Sequence, residues 1–183
     1  MRSKAGPKQL GEMSVIIYSQ NLRGMSDSKE AELASRLKSK RVFAACLQET
    51  HILGCKSWLN HGWTFIHNGL ASRKKKRRAT QGVAIVLGGE AKKAGEAAGS
   101  PILKFGSRIL AIRLRLFDPA NKPMTYFLAS SYAPDSSQKP EELDAYESDM
   151  RRCLDACAST EHLVWGTDAN ALLVFLCFWE SIN

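Results

Sequence analysis

No apolar run in this 183-residue chain approaches the ~20 residues that cross a bilayer. The longest, Ala171 to Phe178, stops well short. The start, Met1-Arg2-Ser3-Lys4-Ala5-Gly6-Pro7-Lys8, has no hydrophobic stretch of the secretory kind. Cysteine is sparse: five residues, an odd number, with no Cys-x-x-Cys pair. That usage excludes a secreted disulfide scaffold and a structural zinc domain, and it fits reduced thiols inside a cell, nuclear or cytoplasmic. Internal repeats and linkers are missing as well, so a single domain with a sizeable core is expected. No recognition-helix or zinc-finger signature is found, which argues against sequence-specific reading of DNA.

Acid is also scarce. Twenty-six Lys and Arg stand against 18 Asp and Glu, giving +8 and a pI near 9.4. Hydrophobic residues at 44% and charged residues at 24% place the chain among globular rather than disordered sequences. A basic domain of this size favours a polyanionic partner, nucleic acid before an anionic membrane. The charge peaks at Arg73, Lys74, Lys75, Lys76, Arg77 and Arg78, and no Asp or Glu lies between Glu49 and Glu90 to cancel it. A solvated loop, a nuclear-localisation-like cluster and a phosphate-backbone contact all fit this run. The uncancelled potential favours nonspecific nucleic-acid affinity.

Along the chain, residues 1–12 read as a basic lead-in. Ser14 to Ser19 is a buried-strand candidate, closed by the turn signature Asn21-Leu22-Arg23-Gly24. Asp27 and Glu30 are spaced as a variant capping box for a helix over Ser28–Lys40, with Ala31, Leu33, Ala34 and Leu37 as its apolar stripe. Val42–Leu47, Trp63–His67, Gly82–Leu87, Ile109–Leu116 and Met124–Ser131 are strand candidates. The loop Asp118-Pro119-Ala120-Asn121-Lys122-Pro123 joins the last two as a hairpin. Leu143, Tyr146, Met150, Cys153, Leu154 and Cys157 recur at helical spacing, predicting a helix from Pro140 to about Ala158. A short strand, His162–Trp165, then leads into Gly166-Thr167-Asp168-Ala169-Asn170. Strand–helix–strand order predicts an α/β layered fold. Cys153 and Cys157 belong to the apolar stripe and read as packing, and His51 and His162 read as exposed.

Four strand ends carry polar groups: Asn21, Glu49, Tyr132 and the Asp168/Asn170 pair. In α/β sheets, ligands gather where such ends converge. The ordered pieces are Gln20-Asn21-Leu22-Arg23-Gly24, Gln48-Glu49-Thr50-His51, Gly82-Val83-Ala84-Ile85-Val86-Leu87, Ser131-Tyr132-Ala133-Pro134 and Gly166-Thr167-Asp168-Ala169-Asn170. In this the chain resembles the exonuclease III-like branch of the endonuclease/exonuclease/phosphatase superfamily. Within it, the chain is most similar to the endonuclease domains of non-LTR retrotransposons and the craniofacial development protein 2-like proteins derived from them. The resemblance implies a DNase I-like two-sheet α/β sandwich, with the polar strand ends meeting at one edge.

Hydrolysis of a phosphodiester needs a divalent metal to polarise the phosphate, a group to activate water, and donors for the developing charge. By resemblance, Glu49 is the ligand of Mg²⁺ or Mn²⁺, and Asn21 helps position metal or phosphate. Tyr132 binds the phosphate, Asp168 orients or deprotonates the attacking water, and Asn170 stabilises the transition state. Three departures stand out. Arg23 occupies a position where the family has Asp or Asn, and Thr167 is inserted between Gly166 and Asp168. The family's Ser-Asp-His is absent: His51, His61, His67 and His162 all precede Asp168. Residues 13–170 are therefore expected to be the first two-thirds of such a domain, incomplete at the C-terminus, with 171–183 an apolar non-family tail. Three functions follow from this reading: a metal-dependent DNA endonuclease by descent, catalytically incomplete; a non-catalytic nucleic-acid-binding remnant; and a small-molecule or lipid phosphatase, which the basic run disfavours.

Overall fold

The computed structural model describes residues 15–71, 81–99, 101–118, 120–135 and 138–168. The lead-in, the basic run Arg73–Arg78, Asn170 and the apolar tail lie outside the described residues. Two sheets form. The first has strand order β1-β2-β5-β4-β3, with β1 (Ile17–Asn21) parallel to β2 (Ala44–Gln48), and β5 (Val83–Leu87), β4 (Trp63–Asn68) and β3 (Lys56–Asn60) antiparallel in turn. The second has order β6-β7-β8-β9: β6 (Leu103–Phe105), β7 (Ile109–Phe117) and β8 (Pro123–Tyr132) are antiparallel, and β9 (His162–Asp168) runs parallel to β8.

The period of two along each strand sorts residues into layers. Ala44 and Cys46 of β2, and Val83, Ile85 and Leu87 of β5, face Leu110, Ile112, Leu114 and Leu128 of the second sheet. The alternate residues Ala45, Leu47, Ala84 and Val86 pack under helix α1 (Asp27–Ser39) through Leu33, Ala34 and Leu37. On the far side, Ile109, Ala111, Phe127 and Ala129 pack under helix α3 (Pro140–Asp155) through Tyr146, Met150 and Cys153. Burial of a residue such as Leu37 contributes about 2 kcal/mol. The architecture is thus helix, sheet, sheet, helix, as expected for the DNase I-like sandwich. Among the described residues no helix is long and apolar enough to cross a membrane.

Several elements differ from the sequence expectation. The cap of α1 is Ser26, whose hydroxyl accepts from the Lys29 N–H at 3.4 Å, not Asp27. Glu30 is instead buried and accepts from Trp58 Nε1 at 3.0 Å and Asn60 Nδ2 at 2.8 Å. Strand β3 carries no apolar alternation because it is an exposed edge; only Trp58 turns inward, stacked on Phe65 at 5.1 Å. Helix α2 (Gly89–Ala98) hides in an Ala/Gly-rich segment and buries only Ala91 and Ala94. The short β6 was likewise not expected. Strand β9 does not stop at Trp165 but runs through Asp168, and α3 ends at Asp155 rather than near Ala158.

Candidate active site

The inner faces of the sandwich change character toward one end. Beyond Ile17, β1 presents Ser19 and Asn21; beyond Cys46, β2 presents Gln48; beyond Leu128, β8 presents Ser130 and Tyr132; beyond Val164, β9 presents Gly166 and Asp168. Gln48, 1% exposed, stitches this zone together. Its Nε2 donates to Ser19 Oγ at 3.2 Å, to the Gly166 carbonyl at 3.4 Å and to Ser130 Oγ at 3.5 Å. Apolar packing thus gives way to hydrogen bonds, and one or two residues further along each strand the site opens.

There Asn21 Nδ2 donates to Glu49 Oε1 at 2.5 Å and also to Asp168 Oδ2. The orientation of the amide is fixed from the other side, because Asn21 Oδ1 accepts from the Arg23 N–H at 3.0 Å. That Asx turn needs only the backbone N–H of residue 23, so an arginine there supports it. Lys29 Nζ braces the same turn by donating to the Leu22, Arg23 and Gly24 carbonyls at 2.9, 3.3 and 2.8 Å.

Glu49 leaves β2 with φ of 50°, in the left-handed region, and His51 follows at 57°. A non-glycine residue held there costs about 1–2 kcal/mol, and neighbouring bonds hold it. The Glu49 carbonyl accepts from Gly24 N at 2.6 Å, the Thr50 carbonyl from Met25 N at 2.9 Å, and Thr50 N donates to Gly82 O at 3.1 Å. Beneath lies a buried pair, Thr50 Oγ1 and His67 Nε2 at 2.7 Å, with His67 Nδ1 2.9 Å from the Gly54 carbonyl. Burial first, then the charge of Lys56, drives the imidazole pKa down to about 4, although the Gly54 bond opposes this. His67 is therefore a neutral spacer at neutral pH. His51 Nε2 lies 3.5 Å from Glu49 Oε2, half-buried rather than fully exposed.

Glu49, Asn21 and Asp168 are thus brought together, although they come from both sheets. Tyr132 is the register partner of Asp168, and Ala133 N donates to the Asp168 carbonyl at 3.0 Å, so residue 132 neighbours Asp168 at the end of β8. Inserted Thr167 does not disturb this. Its side chain turns to the α3 side, where Ser131 Oγ donates to it at 2.8 Å, and Gly166 and Asp168 share the inner face. The residues that escaped sequence reasoning are Gln48's bridging role, His67 and Arg108; each depends on contacts between segments far apart in sequence.

The donor set fits a hard divalent cation. Two carboxylates converge on one hydrogen-bonding nitrogen, and Mg²⁺ takes one or two carboxylates while keeping several waters. Among the described residues no three His, Cys, Asp or Glu side chains assemble into a cage. Glu49 and Asp168 are the carboxylates that could hold such an ion in an open site.

No family model and no curated protein matches the chain. Solved structures do match its fold. The catalytic domain of Xenopus laevis APE2 aligns at TM-score 0.53 and 15% identity, over 87% of this chain and 59% of that one. AP endonuclease LMAP from Leishmania major aligns at 0.58 and 16%, over 85% and 54%. An AP endonuclease from Archaeoglobus fulgidus aligns at 0.58 and 17%, over 86% and 58%. The fold is therefore the DNase I-like α/β sandwich of these proteins, and the chain spans between half and three-fifths of their length.

Proposed function

We propose that this chain is by descent a divalent-metal-dependent phosphodiester hydrolase acting on DNA, an endonuclease of the non-LTR retrotransposon type that carries no Ser-Asp-His motif in this sequence. The observation that carries the reading is the meeting of Glu49 and Asp168 on Asn21 Nδ2. Ordinary strand-end carboxylates face solvent; here two from different sheets are aimed at one point, as a cation site requires. Glu49 and Asp168 hold Mg²⁺ or Mn²⁺, which when bound supplies polarisation of the phosphate. Asn21 sets the carboxylates' spacing, Tyr132 offers its phenol to the phosphate, and Asp168 and Asn170 are the groups assigned to water and to the developing charge. Residues 13–170 form the domain that carries this site.

What the sequence does not contain is the Ser-Asp-His motif whose Asp and His complete such centres. Removing a member of a hydrolase's acid–base machinery typically costs several powers of ten in rate. Purified protein with Mg²⁺ should therefore nick supercoiled plasmid no faster than a Glu49→Ala, Asp168→Ala double variant. Robust Mg²⁺-dependent nicking, lost in that variant, would sink the claim of incompleteness while supporting the hydrolase descent. The net charge of +8 supports a second reading, a nucleic-acid-binding remnant. DNA binding without any effect of Mn²⁺ on stability would favour it.

A further inference from the structure

Beside the carboxylate centre sits a buried charge with an incomplete set of partners. Arg108, 8% exposed, immediately precedes β7. Its guanidinium stands over the Tyr132 ring, 5.3 Å from the centroid, and its Nη2 is 3.6 Å from Glu142 in the first turn of α3. Nη1 is buried and has no hydrogen-bond partner among the described residues. Arg113 shows what a structural arginine looks like in this chain. Its Nε donates to Glu161 Oε1 at 2.5 Å, and Nη2 donates to the Ala156 carbonyl at 2.6 Å and to Glu161 Oε2 at 3.3 Å.

A guanidinium carries five N–H donors and cannot shed its charge. Leaving such donors unpaired in the interior is costly, and an unsatisfied buried group asks for an explanation such as an anion to be bound. Position supplies one. The Arg108 carbonyl accepts from Tyr132 N at 3.0 Å, and Tyr132 pairs with Asp168 in the next ladder. Arg108, Tyr132 and Asp168 thus follow one another across the ends of three adjacent strands, with the guanidinium over the Tyr132 ring. At 3.6 Å the Glu142 contact is too long for a hydrogen bond, and the Glu142 side chain is 44% exposed, so it is the partner that gives way.

We propose that Arg108 is the phosphate-binding cation of this centre: with Tyr132 it takes a non-bridging oxygen of a DNA phosphodiester, which displaces Glu142. The proposal rests on the phosphodiesterase reading and extends it to a residue outside every motif. Glu142 is then an internal competitor of the DNA.

The test measures binding of a short DNA duplex to the full chain by fluorescence anisotropy over a range of KCl, without divalent metal. Glu142→Gln should bind about fivefold more tightly than wild type, the equivalent of releasing one weak ion pair. Exposed Glu141→Gln adds the same charge to the same helix turn and should gain clearly less. Arg108→Met should bind about tenfold more weakly and lower the salt slope by about one. Arg108→Lys, a charge without the fork, should fall between wild type and the Met variant. Equal gains for the two glutamine variants would overturn the proposal, even if Arg108→Met failed to fold. So would an unchanged salt slope in a folded Arg108→Met. A separate Mn²⁺ titration of wild type tells the two readings apart. No metal binding, with Arg108 effects as expected, removes the hydrolase reading and leaves the anion site; metal binding with equal glutamine gains removes Arg108 alone.

Discussion

Gly166 of β9 lies flat against Cys46 of β2: a Cβ on the glycine would stand 2.4 Å from the Cys46 Cβ and 2.8 Å from its Sγ. The two sheets can approach this closely only because residue 166 has no side chain. Two residues on, Asp168 reaches Asn21 as a result. Gly166→Ala should therefore act twice. Overpacking should lower stability by about 1–3 kcal/mol, read as a lower urea midpoint. Parting the sheets should also weaken Mn²⁺ binding. An unchanged midpoint together with unchanged metal affinity would show that this contact does not set the site.

The shared amide nitrogen makes a prediction about metal. Mn²⁺ at a hundred times its dissociation constant should stabilise the wild type by about 2.7 kcal/mol, a rise of several degrees in melting temperature. Glu49→Gln and Asp168→Asn should each lose most of that rise. Asn21→Ala removes the donor between two carboxylates, so without metal it should melt lower than wild type, and metal should restore much of the difference. If Glu49→Gln responds to Mn²⁺ as strongly as wild type does, the ion binds elsewhere.

What could be read from the sequence follows from where each signal resides. Ala44–Gln48 and Val83–Leu87 are buried on both faces, so their apolar runs announce strands without help from tertiary structure. Lys56–Asn60 shows one inward residue in five, and the segment Gly89–Ala98 offers two buried alanines; neither has a periodicity to detect. Asn21, Glu49 and Asp168 stand out in the sequence as polar residues that close strand signals. Their common contact at one nitrogen was not legible, nor was the use of Gln48 to join the sheets beneath them. Arg108 and His67 gave no signal, since a lone arginine before a strand or a histidine within one acquires meaning only from its neighbours in space.

His67 predicts a pH dependence with a definite sign. Its pKa is about 4 in the fold against an ordinary 6.5, so the unfolded chain takes up the proton first as pH falls. The stability contributed by the neutral ring is fully present above pH 6.5 and is lost between 6.5 and about 4. Between pH 7 and pH 5 the wild type should lose about 2 kcal/mol more than His67→Gln, other titrating groups being common to both. Urea unfolding at the two pH values measures the difference. Parallel losses would mean that the ring is protonated in the fold and that the Thr50 hydroxyl donates elsewhere.

The basic run Arg73–Arg78 supplies the last expectation, and it is independent of the carboxylate centre. Six cations in succession, with no acid from residue 50 to residue 89, carry a positive charge that no neighbour in sequence cancels. If they contact DNA phosphates, each contact releases about one counterion, and the logarithm of affinity falls with the logarithm of salt by about 0.9 per contact. Replacing all six by Ser should weaken duplex binding and flatten that slope by several such contacts, a larger change than removing Arg108 alone. Mn²⁺-dependent stabilisation should remain, since Glu49 and Asp168 are untouched. Titrations at several KCl concentrations decide it: a slope equal to that of the wild type would remove the run from the interface, and the +8 charge would then act only at long range, through steering.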